Sequence, residues 1–151
     1  MAGIYIHIPF CKQACYYCDF HFSTSIKKKN QVIASIIQEL LIRKEYLKNS
    51  KINTIYFGGG TPSVLLDIEI ENILKVIYNN YKLVVNPEIS IEVNPDDITI
   101  EKIKNYKRLG FNRVSVGVQS FDNNHLQFFN RSHNVKQVFE SIKKIYATGL
   151  K

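Results

Sequence analysis

No apolar run in these 151 residues is long enough to span a bilayer as a helix. A secretory leader is not expected either, because the strand-like stretch at 4–10 is broken by His7 and Pro9 and no basic residue precedes it. The expected location is therefore the cytoplasm. Glycine (7) and proline (4) are sparse, and no composition shift, long linker or internal repeat divides the chain, so one folded unit is expected. Cysteine is scarcer still: there are three, an odd number where no leader is expected, which argues against a disulfide framework. The net charge of +7 is scattered apart from Lys27-Lys28-Lys29, and no RNA-binding motif accompanies it. That run reads as a solvated helix start, and nucleic acid is not expected as a partner.

What the chain does have is alternation. Four short β-rich runs, at 4–9, 54–57, 88–93 and 113–118, are separated by helical stripes with apolar residues at three- and four-residue steps. The stripes are Val32, Ile33, Ile36, Ile37, Leu40 and Leu41; Ile70, Ile73, Leu74 and Ile77; Ile100, Ile103 and Tyr106; and Val135, Val138, Phe139 and Ile142. Asp67, Thr99 and Asn134 are suited to cap helix starts, and Gly110 and Gly149 to end them; a short extra helix is expected over 122–129. Strands alternating with helices imply an α/β fold with a parallel sheet, in the order 1-2-3-4, with helices on its outer face.

In such sheets ligands bind where the strands end and the loops lead into helices. The unusual residues fall there: Cys11, Cys15 and Cys18 after the first run, Gly58–Pro62 after the second, Asn94-Pro95 after the third, and Gln119 after the fourth. The spacing CxxxCxxC on one short loop suits three corners of an iron–sulfur cubane, leaving a fourth iron open. A zinc site completed by His7 or His21, and unligated core cysteines, remain open as alternatives. The glycine turn lets backbone approach a ligand closely, although an ordinary tight turn would read the same way. It lacks the Lys-Ser/Thr of a phosphate loop, and Ser63 stands where a dinucleotide motif has its third glycine. Alternation puts Ser90, Glu92 and Asn94 on one face, and a carboxylate there needs a cation or donors, from a ligand or from the protein itself. By the same parity Tyr5 and His7 point away from Ile4, Ile6 and Ile8, toward the site.

Five segments taken together resemble one group: Tyr5-Ile-His-Ile-Pro-Phe-Cys11, Cys15-Tyr-Tyr-Cys18-Asp-Phe20, Gly58-Gly-Gly-Thr-Pro-Ser63, Glu92-Val-Asn-Pro-Asp96 and Arg113-Val-Ser-Val-Gly-Val-Gln-Ser-Phe-Asp122. The group is the oxygen-independent coproporphyrinogen III oxidases and their relatives, the radical S-adenosylmethionine (radical SAM) heme chaperones. The resemblance covers essentially the whole chain. It implies a 4Fe–4S cluster on Cys11, Cys15 and Cys18, whose open iron holds SAM and whose electron releases a 5′-deoxyadenosyl radical. It assigns Gly59, Gly60 and Thr61 to the methionine part of SAM, and Glu92, Gln119 and Arg131 to further SAM contacts. Tyr5 is expected against SAM, Tyr17 near the adenine, and His7 in a supporting hydrogen-bonding role. No ligand role is expected for His125 or His133.

The resemblance further implies a partial (β/α) barrel of the radical SAM type, of which residues 1–151 would be the N-terminal part, the first four βα units. The remaining strands and a C-terminal domain would lie beyond Lys151, and a chain without them is not expected to turn over. True oxidases of the group usually carry a further cysteine two positions past the third cluster ligand; Phe20 stands there. That favours heme trafficking by a heme chaperone over coproporphyrinogen decarboxylation, with heme as a possible ligand of the intact protein. A zinc-binding structural module is the reading from another class. Neither an electron donor nor a heme-accepting protein is identified by any motif.

Overall fold

The apolar runs form strands and the periodic stripes form helices in the computed structural model, which describes residues 2–47 and 50–150; the stop at Lys151 lies outside them. The order is β1 (Ala2–Ile8), α1 (Lys29–Ile42), β2 (Ile52–Gly59), α2 (Asp67–Asn80), β3 (Leu83–Val93), α3 (Ile100–Arg108), β4 (Arg113–Val116), α4 (Asn123–Phe128) and α5 (Val135–Ala147). Short 3-10 turns at Pro62–Val64 and Pro95–Asp97 follow β2 and β3. The four strands pair in the order β1-β2-β3-β4, every neighbour parallel, as the alternation predicts.

Register gives the sheet two chemically different faces. Ile4, Ile6 and Ile8 align with Ile55, Phe57 and Gly59, and Ile55 and Phe57 with Ile89 and Ile91. These side chains share one core with Ile33 and Leu40 of α1, Ile70, Ile73, Leu74 and Ile77 of α2, Ile103 and Tyr106 of α3, and Ile145 of α5. Each such side chain, fully buried, stabilises the fold by roughly 1.5–3 kcal/mol. The other face carries Tyr5 and His7 on β1, Tyr56 on β2, Ser90 and Glu92 on β3, and Arg113 and Ser115 on β4.

The helix ends follow the capping chemistry with two corrections. Thr99 and Asn134 accept hydrogen bonds from the backbone N–H groups of Lys102 and Gln137, and Gly110 and Gly149 adopt positive φ just past α3 and α5. Asp67, however, is the first residue of α2 and not its cap: Leu66 holds that position, and its N–H donates to the Glu69 carboxylate. The Asp67 carboxylate instead accepts from Asn105 Nδ2 on α3 at 2.6 Å. The lysine run is only partly a solvated helix start. Lys27 and Lys28 are exposed, but Lys29 lies 2.9 Å from the Glu69 carboxylate and ties α1 to α2.

β4 is shorter than its apolar run. It ends at Val116, after which Val118 N–H donates to Val116 O and Ser120 N–H to Val118 O, so the chain curls out of the sheet. Gln119 therefore sits past the strand, at φ 65, a conformation uncommon outside glycine.

Candidate functional site

The carboxyl ends of all four strands open onto one cavity of about 550 Å³. The cysteine loop forms one wall because it is closed on itself: Phe10 bridges to Ser23, Cys11 N–H donates to Ser23 O, and Ser23 N–H to Pro9 O. The glycine turn lies against its base, with Gly60 N–H on Ile8 O at 2.9 Å and Thr61 N–H on Phe10 O at 2.7 Å. Gly59 has φ 113, and a Cβ on Gly60 would fall 2.7 Å from Phe10 O and 2.9 Å from Cys11 Sγ. A side chain at Gly60 would displace the loop that carries Cys11, and one at Gly59 would be strained by its φ and would meet the His7 ring at 2.8 Å.

Three free, half-buried thiols face this cavity. Thr61 Oγ1 donates to Cys11 Sγ at 3.5 Å, and Arg131 Nη1 lies 3.2 Å from Cys15 Sγ. Burial pushes the Cys11 thiol up; the Thr61 hydrogen bond and the Arg131 charge oppose this, while Cys18 and Cys15 add to it. Among the described residues no group of three or more His, Cys, Asp or Glu is gathered to hold a single metal ion. A cubane takes each thiolate at a separate corner, and three thiols from one short loop lining one cavity supply a donor set that fits such a cluster. His7, offered above as a fourth zinc ligand, points its Nδ1 to Tyr5 Oη at 3.0 Å and does not line the cavity.

The polar walls come from separate elements. Glu92 accepts from Tyr56 Oη at 2.5 Å and from Gly59 N–H at 3.2 Å, which leaves further lone pairs toward the cavity. Tyr56 is pushed up to about 12 by burial and then by the Glu92 hydrogen bond and charge. Arg131, delivered by the turn after α4, donates to Asn94 Oδ1 at 2.8 Å, Gly117 O at 3.1 Å and Tyr17 Oη at 3.2 Å. Its Nε is buried without a partner, the kind of orphaned donor that an anionic ligand satisfies. Tyr17 packs edge-on against Phe129.

Of the residues expected from the sequence, Cys11, Cys15, Cys18, Tyr17, Gly59, Gly60, Thr61, Glu92, Gln119 and Arg131 all line the cavity. Tyr5 does not. It is 57% exposed and stacks on Tyr56, one residue removed from Glu92. Of the two histidines given no ligand role, neither lines the cavity; His133 is buried with Nε2 3.1 Å from Val118 O. Sequence reading missed Tyr56, and only its place two residues before the glycine turn, in phase with Tyr5, pointed toward it. Asn94 was placed at a strand end on the face of Glu92 and given no role of its own, yet it joins Arg131 to Thr61.

Comparison with known proteins agrees with this geometry. The radical SAM superfamily model matches residues 5–151. A heme chaperone, HemW, of Lactococcus lactis is 39% identical over 96% of this chain and 38% of its own length. The oxygen-independent coproporphyrinogen III oxidase of Escherichia coli is 31% identical over 91% of this chain and 30% of its own. The solved structure of Escherichia coli coproporphyrinogen III oxidase (HemN), described as a radical SAM enzyme, superimposes with a TM-score of 0.91 at 29% identity, covering 99% of this chain and 35% of that one. The chain belongs to the radical SAM superfamily, and spans well under half the length of the relatives it matches. Membership implies a 4Fe–4S cluster and SAM as its cofactors. Among the described residues no helix is long and apolar enough to cross a membrane.

Proposed function

We propose that Cys11, Cys15 and Cys18 hold the 4Fe–4S cluster and that the cavity beside them takes SAM, in a cytoplasmic protein of which this region is the first part of the radical SAM core domain. The single observation carrying this is the convergence of three free thiols, a glycine turn, Glu92 and Arg131 on one cavity at the strand ends. When bound, the cluster supplies the electron that opens SAM. Around it, the Arg131 guanidinium offers a carboxylate its unpaired Nε, and Glu92 offers an ammonium or hydroxyl group the lone pairs that Tyr56 and Gly59 leave free. Gly59, Gly60 and Thr61 bring backbone groups to the methionine portion, and Gln119 supplies an amide to polar groups of the cofactor. Tyr17 gives the adenine an aromatic face, and Tyr5 supports the site through its stack on Tyr56.

For the intact protein we infer heme trafficking, with heme as its ligand. The similarity to HemW at 39% identity and Phe20 on the cavity wall, in place of the oxidases' further cysteine, support it. The superposition on HemN keeps coproporphyrinogen decarboxylation as the second reading.

Anaerobic reconstitution with iron and sulfide, metal analysis, and paramagnetic resonance of the reduced protein test the cluster. Iron and sulfide in 4Fe–4S stoichiometry are expected, with a resonance that shifts when SAM is added. Stoichiometric zinc with no bound iron under those conditions would sink the assignment. Glu92→Gln should weaken SAM binding about tenfold, the loss of one charge-assisted hydrogen bond. For the intact protein, anaerobic heme titration should give a saturable Soret shift, whereas multiple-turnover formation of protoporphyrinogen would favour the oxidase reading.

A further inference from the structure

The 3-10 turn after β3 carries a carboxylate that the cavity does not use. The Asp97 side chain is only 1% exposed. One of its oxygens accepts from Ser63 Oγ at 2.5 Å, and the other accepts from Lys12 Nζ. Lys12 follows Cys11 in the cysteine loop, and Ser63 closes the glycine turn. One buried charge thus ties together the loops leaving β1, β2 and β3. The surroundings hold it in place: Lys102 of α3 donates to Ser63 O at 2.5 Å, and Ser132 steadies neighbouring Asp96 at 3.0 Å.

Burying a carboxylate is costly, and an apolar residue at 97 would serve packing as well or better. Lys12 is no packing residue either, since half of its side chain is in solvent. What the pair does supply is direction. It draws the residue after Cys11 down toward the turn whose Thr61 hydroxyl meets Cys11 Sγ. Cys15 and Cys18 lie farther along the loop, on the side held by other contacts. There Gln13 Nε2 donates to Asn130 O, Asn130 Nδ2 to Ala14 O, and Tyr16 N–H to Phe129 O.

We propose that Asp97, acting through Lys12 and Ser63, is a positioning residue that sets where Cys11 Sγ stands relative to the glycine turn, independently of Cys15 and Cys18. Its consequence for cofactor binding rests on reading Cys11 as a cluster ligand, but the placement itself can be measured without any cluster. The test is alkylation of the reduced, metal-free chain with iodoacetamide, each cysteine followed separately by peptide mass spectrometry. In Lys12→Met, Cys11 should react about tenfold faster than in the wild type, with Cys15 and Cys18 within about twofold, as selective local opening requires. Lys12→Arg, which keeps a donor for Asp97, should return Cys11 to the wild-type rate. Asp97→Asn should repeat the selective pattern if it folds, and Lys12→Met decides the matter if it does not. An unchanged Cys11 rate in Lys12→Met, or equal acceleration of all three cysteines, overturns the proposal. Reconstitution of the same variant gives a separate reading: zinc in place of iron there would refute the cluster while leaving the labelling result standing.

Discussion

The two faces of this sheet are built from the same strands and obey different rules. On the helix-covered face Ile55, Phe57, Ile89 and Ile91 are at most 3% exposed and belong to the apolar core. There volume and shape decide everything, because a void forfeits both transfer energy and dispersion contacts. On the other face Tyr5, Tyr56, Glu92 and Arg113 are partly wet and linked by hydrogen bonds or stacking to named partners. There geometry and charge decide, and each contact adds little to stability. The lesson is a division of labour within one strand: Ile55 and Phe57 of β2 hold the fold, and Tyr56 between them helps shape the site.

The comparison breaks most visibly through Phe57→Ala, which should cost about 3–5 kcal/mol, read as a fall in the urea midpoint. Its remaining folded fraction should bind SAM with unchanged affinity after reconstitution; a large loss of affinity in that fraction would mean the faces are not separable. Asn130, at φ 56, is the next largest effect expected. Asn130→Ala should destabilise by about 1–2 kcal/mol more than Asn130→Gly, the cost of holding a Cβ in the left-handed region. Both lose the side-chain bonds to Gln13 and Ala14, so equal midpoints would show that those bonds, and not the backbone, govern the loop.

Tyr56→Phe should cost about 1 kcal/mol at pH 8, the net worth of one hydrogen bond to Glu92. Its pH dependence has a definite sign. The folded state raises the phenol to about 12, so the folded state keeps a proton that the unfolded chain loses from pH about 10 upward. The stabilisation is complete below about 10 and is lost as the pH rises through about 12, so the gap between wild type and Tyr56→Phe should close across that window. A gap that stays constant to pH 12 would remove the Tyr56–Glu92 bond from the account. Smallest of all, Val85→Thr at a 95% exposed position should move the midpoint by no more than about 0.5 kcal/mol.

Much of this arrangement was legible in the chain because it depends on local chemistry. Strand parity on β1 follows from Ile4, Ile6 and Ile8 alternating with Tyr5 and His7, and strand order follows from consecutive βα units. The cysteine spacing, the glycine turn and Glu92 fell at strand ends that the alternation alone marked. Tertiary structure decided what no period records. It curled the chain after Val116 so that β4 stopped two residues short of its apolar run, and it turned Tyr5 onto Tyr56 and out of the cavity. Lys29 was drawn from solvent to Glu69 across 40 residues, and Asp97 met Lys12 across 85. Periodicity reports which face a residue takes, because burial repeats with the backbone. It is silent on which distant polar partner stands there, because a single pairing has no repeat and is set by how the loops meet after the sheet has formed.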